Sequence, residues 1–253
     1  PAILSPGLTG ETTVLLEPGV YALTCVMVAE DGEYHVMKGM TRPFEVTEED
    51  SGAEKPEGTV DIILEDFAIN IEDSIGAGDH VFNVNFKTME NVHLAKLEEE
   101  QKLEDLKLWM NKAQNPSPFT FLGGAEQAPV GMTNTFKASL EPGRYALVTY
   151  GSAMHGMTAE IIIPEEGKAA PISNEPVNPS VTVKITPEGA ELSEGLHPGR
   201  TLISFDATGE KQGFYILNWL KDGSSPEDYK QFVEDVYVYS RKKISEANDP
   251  SAL

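Results

Sequence analysis

The chain has 253 residues, and its 41 Asp and Glu residues against 19 Lys and Arg residues give a formal net charge of −22. This charge argues against binding to nucleic acid or to an anionic membrane surface, because both carry the same sign of charge. With 40% hydrophobic residues, a single cysteine and no apolar run of the roughly 18 residues that a membrane helix needs, the composition predicts a folded acidic protein with no internal disulfide and no membrane span.

The predicted elements are mostly short strands, rich in apolar and β-branched residues and bounded by turn residues. Only two segments have convincing helical periodicity, and the second starts with a serine cap, a proline and two acidic residues, as helices commonly do. In chain order, the predicted elements are strands around Leu16–Cys25 and Phe44–Val46, strands Val60–Leu64 and Gly78–Phe86, the helix Leu103–Ala113, the strand Tyr145–Tyr150, strands around Val181–Ile185 and Thr201–Asp206, and the helix Pro226–Val236.

A nine-residue sequence occurs twice in the chain with few changes. Leu16–Thr24 reads LEPGVYALT, and Leu140–Val148 reads LEPGRYALV. A weaker similarity relates Gly78–Asn85 to Gly199–Asp206, which share an alternation of apolar and polar residues more than identities. Self-similarity of this kind predicts a duplicated structural unit.

The similarities divide the chain into a half unit, a whole unit and a second half unit. Residues 1–46 match only the second half of the central unit, at residues 58–163, and residues 180–253 match only its first half. The segments 47–57 and 164–179 have the Pro-rich or Gly- and Glu-rich composition of linkers. We therefore predict one complete domain and one split domain, in which the two terminal halves complete each other within the chain or between neighbouring chains.

The strand that ends at Cys25 and leads to His35 and Met40 resembles the C-terminal half of the cupredoxins, the plastocyanin-like Greek-key β-sandwiches. In that family a cysteine, a histidine and a methionine so arranged bind copper. The resemblance implies a mainly β chain of two cupredoxin-like sandwiches, each with a short helical excursion, one of them split between the chain termini.

The resemblance implies a copper site in each unit, and each site lacks part of the ligand set. A blue-copper centre uses two imidazoles and a thiolate, usually with a weak axial thioether. The split unit supplies Cys25, His35 and Met40, but the position of the family's other histidine falls near Ile216. His35 also stands ten positions after Cys25, which is more than the family's compact loop has.

In the central unit the candidate ligands are His93, His155 and Met157, while Thr149 stands at the cysteine position. Two imidazoles and a thioether without a thiolate would not make a blue-copper site. The alternative is that these three residues are inherited structural residues. The sequence is compatible with both interpretations.

The same choice applies to the split unit, where Cys25 is either a copper ligand or a small buried hydrophobic residue. Two further histidines, His80 and His197, stand at predicted strand entries, and we expect both to be solvated. Four methionines lie near the candidate histidines and would suit Cu(I), although methionine also fills ordinary cores. They are Met37, Met40, Met154 and Met157.

No catalytic motif accompanies these residues. The sequence contains no nucleophile elbow, zinc-protease motif or phosphate-binding loop, and its acidic runs lack the spacing of a calcium loop. We predict no enzymatic activity and no resident cofactor, with copper as the alternative.

The split domain leads to the predicted function. A half sandwich exposes strand edges whose backbone groups need partners, and complementary halves can join head to tail between chains. We predict an exported, non-enzymatic structural subunit that forms a homopolymer, as a filament or surface layer, with no nucleic-acid partner. The expected location is extracellular or at the cell surface, with the periplasm as an alternative. The alternative function is a copper-binding or electron-transfer protein with an atypical site.

Overall fold

The computed structural model describes residues 3–49, 52–71, 75–112, 116–165, 181–186, 189–193, 199–206, 215–220, 223–225, 227–229 and 231–235. Within them the chain is mainly β, as predicted. The elements are β1 (Thr9–Leu16), β2 (Gly19–Cys25), β3 (Thr41–Val46), β4 (Val60–Glu65), β5 (Ala68–Ile71), β6 (Gly78–Phe86), β7 (Val92–Leu97), α1 (Leu103–Lys112), β8 (Thr120–Ala125), β9 (Thr133–Leu140), β10 (Gly143–Val148), β11 (Thr158–Ile163), β12 (Val181–Thr186), β13 (Gly189–Leu192), β14 (Gly199–Asp206) and β15 (Tyr215–Trp219).

The first predicted helix is present as α1, which carries acidic residues in its first turn, where the helix dipole favours them. Leu106 and Met110, four residues apart, are fully buried and form its inner face. The second predicted helix is helical at 227–229 and 231–235, and its two predicted ends lie outside the described residues. Among the described helices, none is long and apolar enough to cross a membrane.

The repeated LEPGxYAL sequence forms the same corner at both of its positions. The Tyr21 hydroxyl donates to the carbonyl oxygen of Glu17 at 2.9 Å and accepts from the amide of the same residue at 3.2 Å. Tyr145 and Glu141 make the equivalent pair at 3.1 and 3.0 Å. Because each tyrosine ring is buried and its hydroxyl satisfies two backbone groups, the motif fixes the turn that enters β2 and β10.

The largest sheet contains eight strands in the order β13-β12-β14-β1-β9-β6-β4-β5. At its centre β1 and β9 pair antiparallel, with Glu11 opposite Lys137 and Thr13 opposite Thr135. A parallel pair lies on each side of this junction, β12 with β14 and β4 with β6, and each pair carries a hairpin strand on its outer edge. The strand order is therefore the same when read outward from the junction in either direction.

A four-stranded sheet, in the order β11-β10-β7-β8, covers one half of the large sheet. Its inner face forms a core with β4, β6 and β9, where Phe82 and Phe136 stack with ring centroids 4.7 Å apart. Its outer face is also covered, because α1 and the segment at residues 3–5 pack there against Phe121. Since both faces are covered, β7 is buried at five of its six positions instead of at alternate ones.

A three-stranded sheet, in the order β15-β2-β3, completes the other half. Leu23 and Cys25 from β2 belong to the same buried cluster as Val183, Ile203 and Phe205 from the large sheet. Strands from the two ends of the chain thus share one core.

The terminal segments pair directly within the single chain. β1 runs antiparallel to β14 over eight residue pairs, from Thr9 opposite Asp206 to Leu16 opposite Gly199. β2 pairs with β15, which places Tyr215 opposite Cys25. The predicted boundaries of the domains and linkers stay predictions.

Candidate metal centre

The segment that follows β2 brings three of the predicted ligands to one place. Cys25 is the last residue of β2, and its amide donates to the carbonyl oxygen of Met40 at 3.0 Å. The amide of Met40 in turn donates to the carbonyl oxygen of His35 at 3.0 Å. His35 is itself fixed by its amide, which donates to the carbonyl oxygen of Met27 at 2.8 Å.

The nine residues between Cys25 and His35 fold outward as a small closed loop. Val28 and Tyr34 form an antiparallel bridge, and Ala29 and Glu33 are joined by a backbone hydrogen bond of 2.7 Å. Lys38 forms an ion pair with Asp31 across the same loop, and this contact holds the pKa of the Asp31 carboxyl below its usual value. The loop therefore returns the chain to the end of β2, despite its length.

The turn that carries His35 depends on one glycine. Residues His35–Lys38 form a single 3₁₀ turn, and Gly39 ends it with a φ of 92°, in the left-handed region. Its amide donates to the carbonyl oxygen of Val36 at 3.1 Å. A residue with a Cβ atom is strained in this conformation, so glycine is what lets the chain turn directly into Met40.

The side chains of Cys25 and His35 are in contact within this turn. The cysteine Sγ lies 3.3 Å from the histidine Nδ1, and the pair is buried. Met40 is hydrogen-bonded to the backbone of both residues and is only 3% exposed. The structure thus brings together a thiol, an imidazole and a thioether-bearing residue in an environment from which water is largely excluded.

The Cys25–His35 contact fits two donors of one metal ion. Ligands at about 2.3 Å for sulfur and about 2.0 Å for nitrogen, arranged tetrahedrally, lie roughly 3.5 Å apart. The observed separation of 3.3 Å is close to that value, and it also fits a hydrogen bond between the two groups. Thiolate, imidazole and thioether are donors that copper accepts. The residues present therefore fit copper, with fewer donors than a blue-copper centre has.

The second imidazole of such a centre is not found among the described residues. β15, the neighbour of β2, reads YILNW and places Ile216 opposite Thr24. In the part of the chain that the structure describes, no group of three or more His, Cys, Asp or Glu side chains is placed to hold a metal ion.

In the central unit the backbone of the corresponding loop is similar. The amide of Thr149 donates to the carbonyl oxygen of Met157 at 3.2 Å, as that of Cys25 does to Met40. A 3₁₀ turn, Ala153–His155, again ends at a left-handed glycine, Gly156. The loop is shorter, and a threonine hydroxyl stands in place of the thiol.

The three predicted ligands of the central unit are not brought together. Val92 and Leu94 face the core beneath β7, so His93 faces the opposite side, where it contacts Phe121 and its Nδ1 accepts the amide of Ile3 at 3.2 Å. His155 is exposed, and Met157 is buried in the core that His93 faces away from. Burial lowers the pKa of His93 to about 3, so the ring is neutral.

Sequence reasoning overlooked two polar residues that precede β7. Glu90, two residues before Val92, accepts the Ser152 hydroxyl at 2.6 Å, and Asn91 accepts the amide of Tyr150 at 2.8 Å. Together they attach the loop after β10 to the start of β7. A polar pair placed directly before a mostly apolar strand was the available signal.

The prediction that His80 is solvated was wrong. Its side chain is only 5% exposed, and its Nε2 lies 2.9 Å from the carbonyl oxygen of Gly76. Its other nitrogen faces the Thr59 hydroxyl at 3.5 Å, so the ring fastens the loop before β6 to the loop before β4. His197 lies outside the described residues.

Neither a protein-family model nor a curated protein sequence matches the chain. The solved structures that are similar to it in fold include two auracyanins and a nitrite reductase. Na-dithionite-reduced auracyanin from the photosynthetic bacterium Roseiflexus castenholzii is 13% identical, covers 43% of this chain and 98% of its own, and has a TM-score of 0.34. Auracyanin B is 14% identical over 46% of this chain and 95% of its own, with a TM-score of 0.33. The Cu-containing nitrite reductase of Thermus scotoductus SA-01 is 12% identical over 85% and 88%, with a TM-score of 0.26.

Proposed function

We propose that this chain is a copper-binding protein whose site is formed by Cys25, His35 and Met40. The observation that carries the proposal is the buried 3.3 Å contact between the cysteine Sγ and the histidine Nδ1. A thiol and an imidazole held together away from water are the donors that a soft metal ion requires, and Met40 adds a thioether.

The surrounding residues support this role by fixing the donors in advance. The carbonyl oxygen of Met27 holds the amide of His35, and the amide of Cys25 is held by the carbonyl oxygen of Met40. Because these contacts join backbone atoms and use none of the donor atoms, they fix the positions of the donors independently of the ligand. Bound copper would supply a centre for one-electron chemistry, while the protein excludes water and keeps the donors in place.

The proposal predicts one copper per chain after reconstitution and desalting, measured by elemental analysis. We expect Cys25→Ser and His35→Gln each to reduce the bound copper to well under half, since each substitution removes one of the two donors that are already in contact. The exposed His155 is the matched control, and His155→Gln should retain full stoichiometry.

Circular dichroism and thermal unfolding of each variant separate loss of the site from loss of the fold. Folded Cys25→Ser protein that binds copper as the unsubstituted chain does would contradict the proposal. Loss of copper in His155→Gln, with Cys25→Ser unaffected, would place binding in the central unit and would also contradict it.

We also propose head-to-tail assembly through the terminal halves. The observation that favours it is their complementarity, because β14 and β15 each meet a strand from the opposite end of the chain along their whole length. The same backbone hydrogen bonds form whether the two strands come from one chain or from two, which is the basis of domain exchange. Without β1, the edge of β14 would expose unpaired backbone groups along the length of these eight residue pairs.

Light scattering across a concentration series tests the assembly. The proposal predicts masses of several 27.6 kDa subunits that persist on dilution. A constant mass of one subunit at every concentration would show that the halves close within each chain, and would remove assembly as a function. The copper proposal does not depend on either result.

A further inference from the structure

We infer that the site of Cys25, His35 and Met40 selects Cu(I) and excludes Cu(II). This inference rests on the proposed copper binding and adds the oxidation state that the site holds. Two observations carry it: the softness of the donors and the charge that the buried pocket can accept.

The donors at the site are mostly sulfur. Cys25 and Met40 supply a thiol and a thioether, and His35 is the single imidazole. Met27, whose carbonyl oxygen holds the His35 amide, carries a second thioether and is 2% exposed within the same buried cluster. Thiolate and thioether ligands favour Cu(I), whereas Cu(II) favours nitrogen and oxygen donors in a tetragonal arrangement.

The burial of the site acts in the same direction. A thiolate bound to Cu(I) has no net charge, whereas a thiolate bound to Cu(II) leaves one positive charge in the pocket. Cys25 is fully buried and His35 is 5% exposed, so this charge would have little solvent around it. An uncompensated buried charge is strongly unfavourable. The pocket therefore disfavours the oxidised ion even where both ions reach the same donors.

Among the described residues, no set of three or more His, Cys, Asp or Glu side chains surrounds the site. The strand beside β2 supplies no imidazole or carboxylate, since β15 contains none. Of the other histidines, three belong to the central unit, where His93 faces Ile3 and Phe121.

Competition titrations test the selectivity. Cu(I) affinity is measured anaerobically with a reductant and a Cu(I)-specific chelator, and Cu(II) affinity without reductant and with a Cu(II) chelator. Ni(II) serves as a divalent ion that the thiol does not reduce. We expect Cu(I) to bind at least about 1,000-fold more tightly than Cu(II), with no intense thiolate-to-Cu(II) absorption band in the visible region.

Two substitutions at one position sharpen this test. Met40→His replaces a thioether with an imidazole and should narrow the ratio of Cu(I) to Cu(II) affinity by at least about tenfold. Met40→Leu removes the donor and should weaken Cu(I) binding without strengthening Cu(II) binding. A folded Met40→His protein with an unchanged ratio would contradict the inference.

The outcomes separate this inference from the proposed function. If neither ion binds, the proposed function fails and the inference fails with it. If Cu(II) binds as tightly as Cu(I), the proposed function stands and the selectivity is wrong. Cu(II) binding that disappears in His197→Gln would show that a second imidazole reaches the site, and would overturn the inference in the same way.

Discussion

Replacing Glu126 with glutamine is expected to stabilise the protein above pH 8 by up to about 4 kcal/mol. Glu126 directly follows β8, and its Oε1 atom is buried and accepts no hydrogen bond from the described residues. Burial raises the pKa of this carboxyl to about 8, against an ordinary value of 4.5. Each pKa unit corresponds to about 1.4 kcal/mol, and the half-buried side chain keeps enough solvent to reduce the full effect.

The direction of the effect follows from proton binding. Between pH 4.5 and about 8 the folded protein keeps the Glu126 proton and the unfolded chain releases it. Stability from this group is therefore complete below pH 4.5 and is lost as the pH rises through about 8. Glutamine has no proton to lose and keeps a similar shape, so the variant should not show this loss.

Urea unfolding at intervals from pH 4 to pH 9 measures the difference. Glu99→Gln removes a carboxylate from an exposed position and controls for the change in net charge. Glu126→Gln and Glu99→Gln proteins of equal stability at pH 9 would show that the Glu126 carboxyl is solvated in the folded state.

The sequence was sufficient to predict β2, β3, β4, β6, β10, β12 and β14, which are rich in apolar residues and adjoin recognisable turns, but it did not predict the other strands. The LEPGxYAL repeat was the strongest signal, and the structure explains it, since Tyr21 and Tyr145 each tie two backbone groups at the entry to a strand. The constraint is local in sequence, so its residues stand at fixed spacing and are visible without a structure.

The residues of the candidate site in the split unit were predictable from the sequence, but the contact between Cys25 and His35 was not. The distance of ten residues between Cys25 and His35 indicated a loop too long for a compact site. The bridge between Val28 and Tyr34 closes the intervening residues into a loop, so that His35 returns to the end of β2. Neither bridge residue belongs to a sequence motif that would have predicted this closure. Spacing along the chain is a poor measure of distance where a loop closes on itself.

The side of β7 on which His93 lies was not predictable from the sequence. Alternation of apolar and polar residues normally shows which face of a strand is buried. In β7 both faces are covered, and the sequence VHLAKL conceals the difference between them. The cover on the outer face is α1 and the segment at residues 3–5, which lie far apart in the chain. Only the folded structure shows that the His93 side chain lies on the outer face of the sheet, against Ile3 and Phe121.

Replacing His93 with asparagine is expected to remove the part of the loss of stability below pH 6.5 that arises from this residue. Burial lowers the pKa of His93 from 6.5 to about 3, and the neutral ring accepts the Ile3 amide at its Nδ1. Asparagine places its Oδ1 where the ring has this nitrogen and cannot be protonated in this range. At about 1.4 kcal/mol per pKa unit, the change across the full range approaches 5 kcal/mol.

The pH dependence of stability that His93 causes has the opposite sign to that of Glu126. Between pH 6.5 and about 3 the unfolded chain binds a proton at His93 and the folded protein does not. Stability from this group is present above pH 6.5 and is lost as the pH falls towards 3. His155→Asn, at an exposed histidine, controls for the change of residue type. A parallel loss in His93→Asn and unsubstituted protein below pH 6.5 would contradict the assignment.

The two groups together predict the shape of the pH profile. Of these two groups, only His93 changes its contribution from pH 3 to 4.5, and this contribution rises with pH. From 4.5 to 6.5 the folded state lacks the His93 proton and retains the Glu126 proton, so the two slopes cancel. From 6.5 to about 8 only Glu126 acts, and stability falls. Glu126→Gln should remove the fall, His93→Asn the rise, and the double variant both, since each group titrates in its own environment.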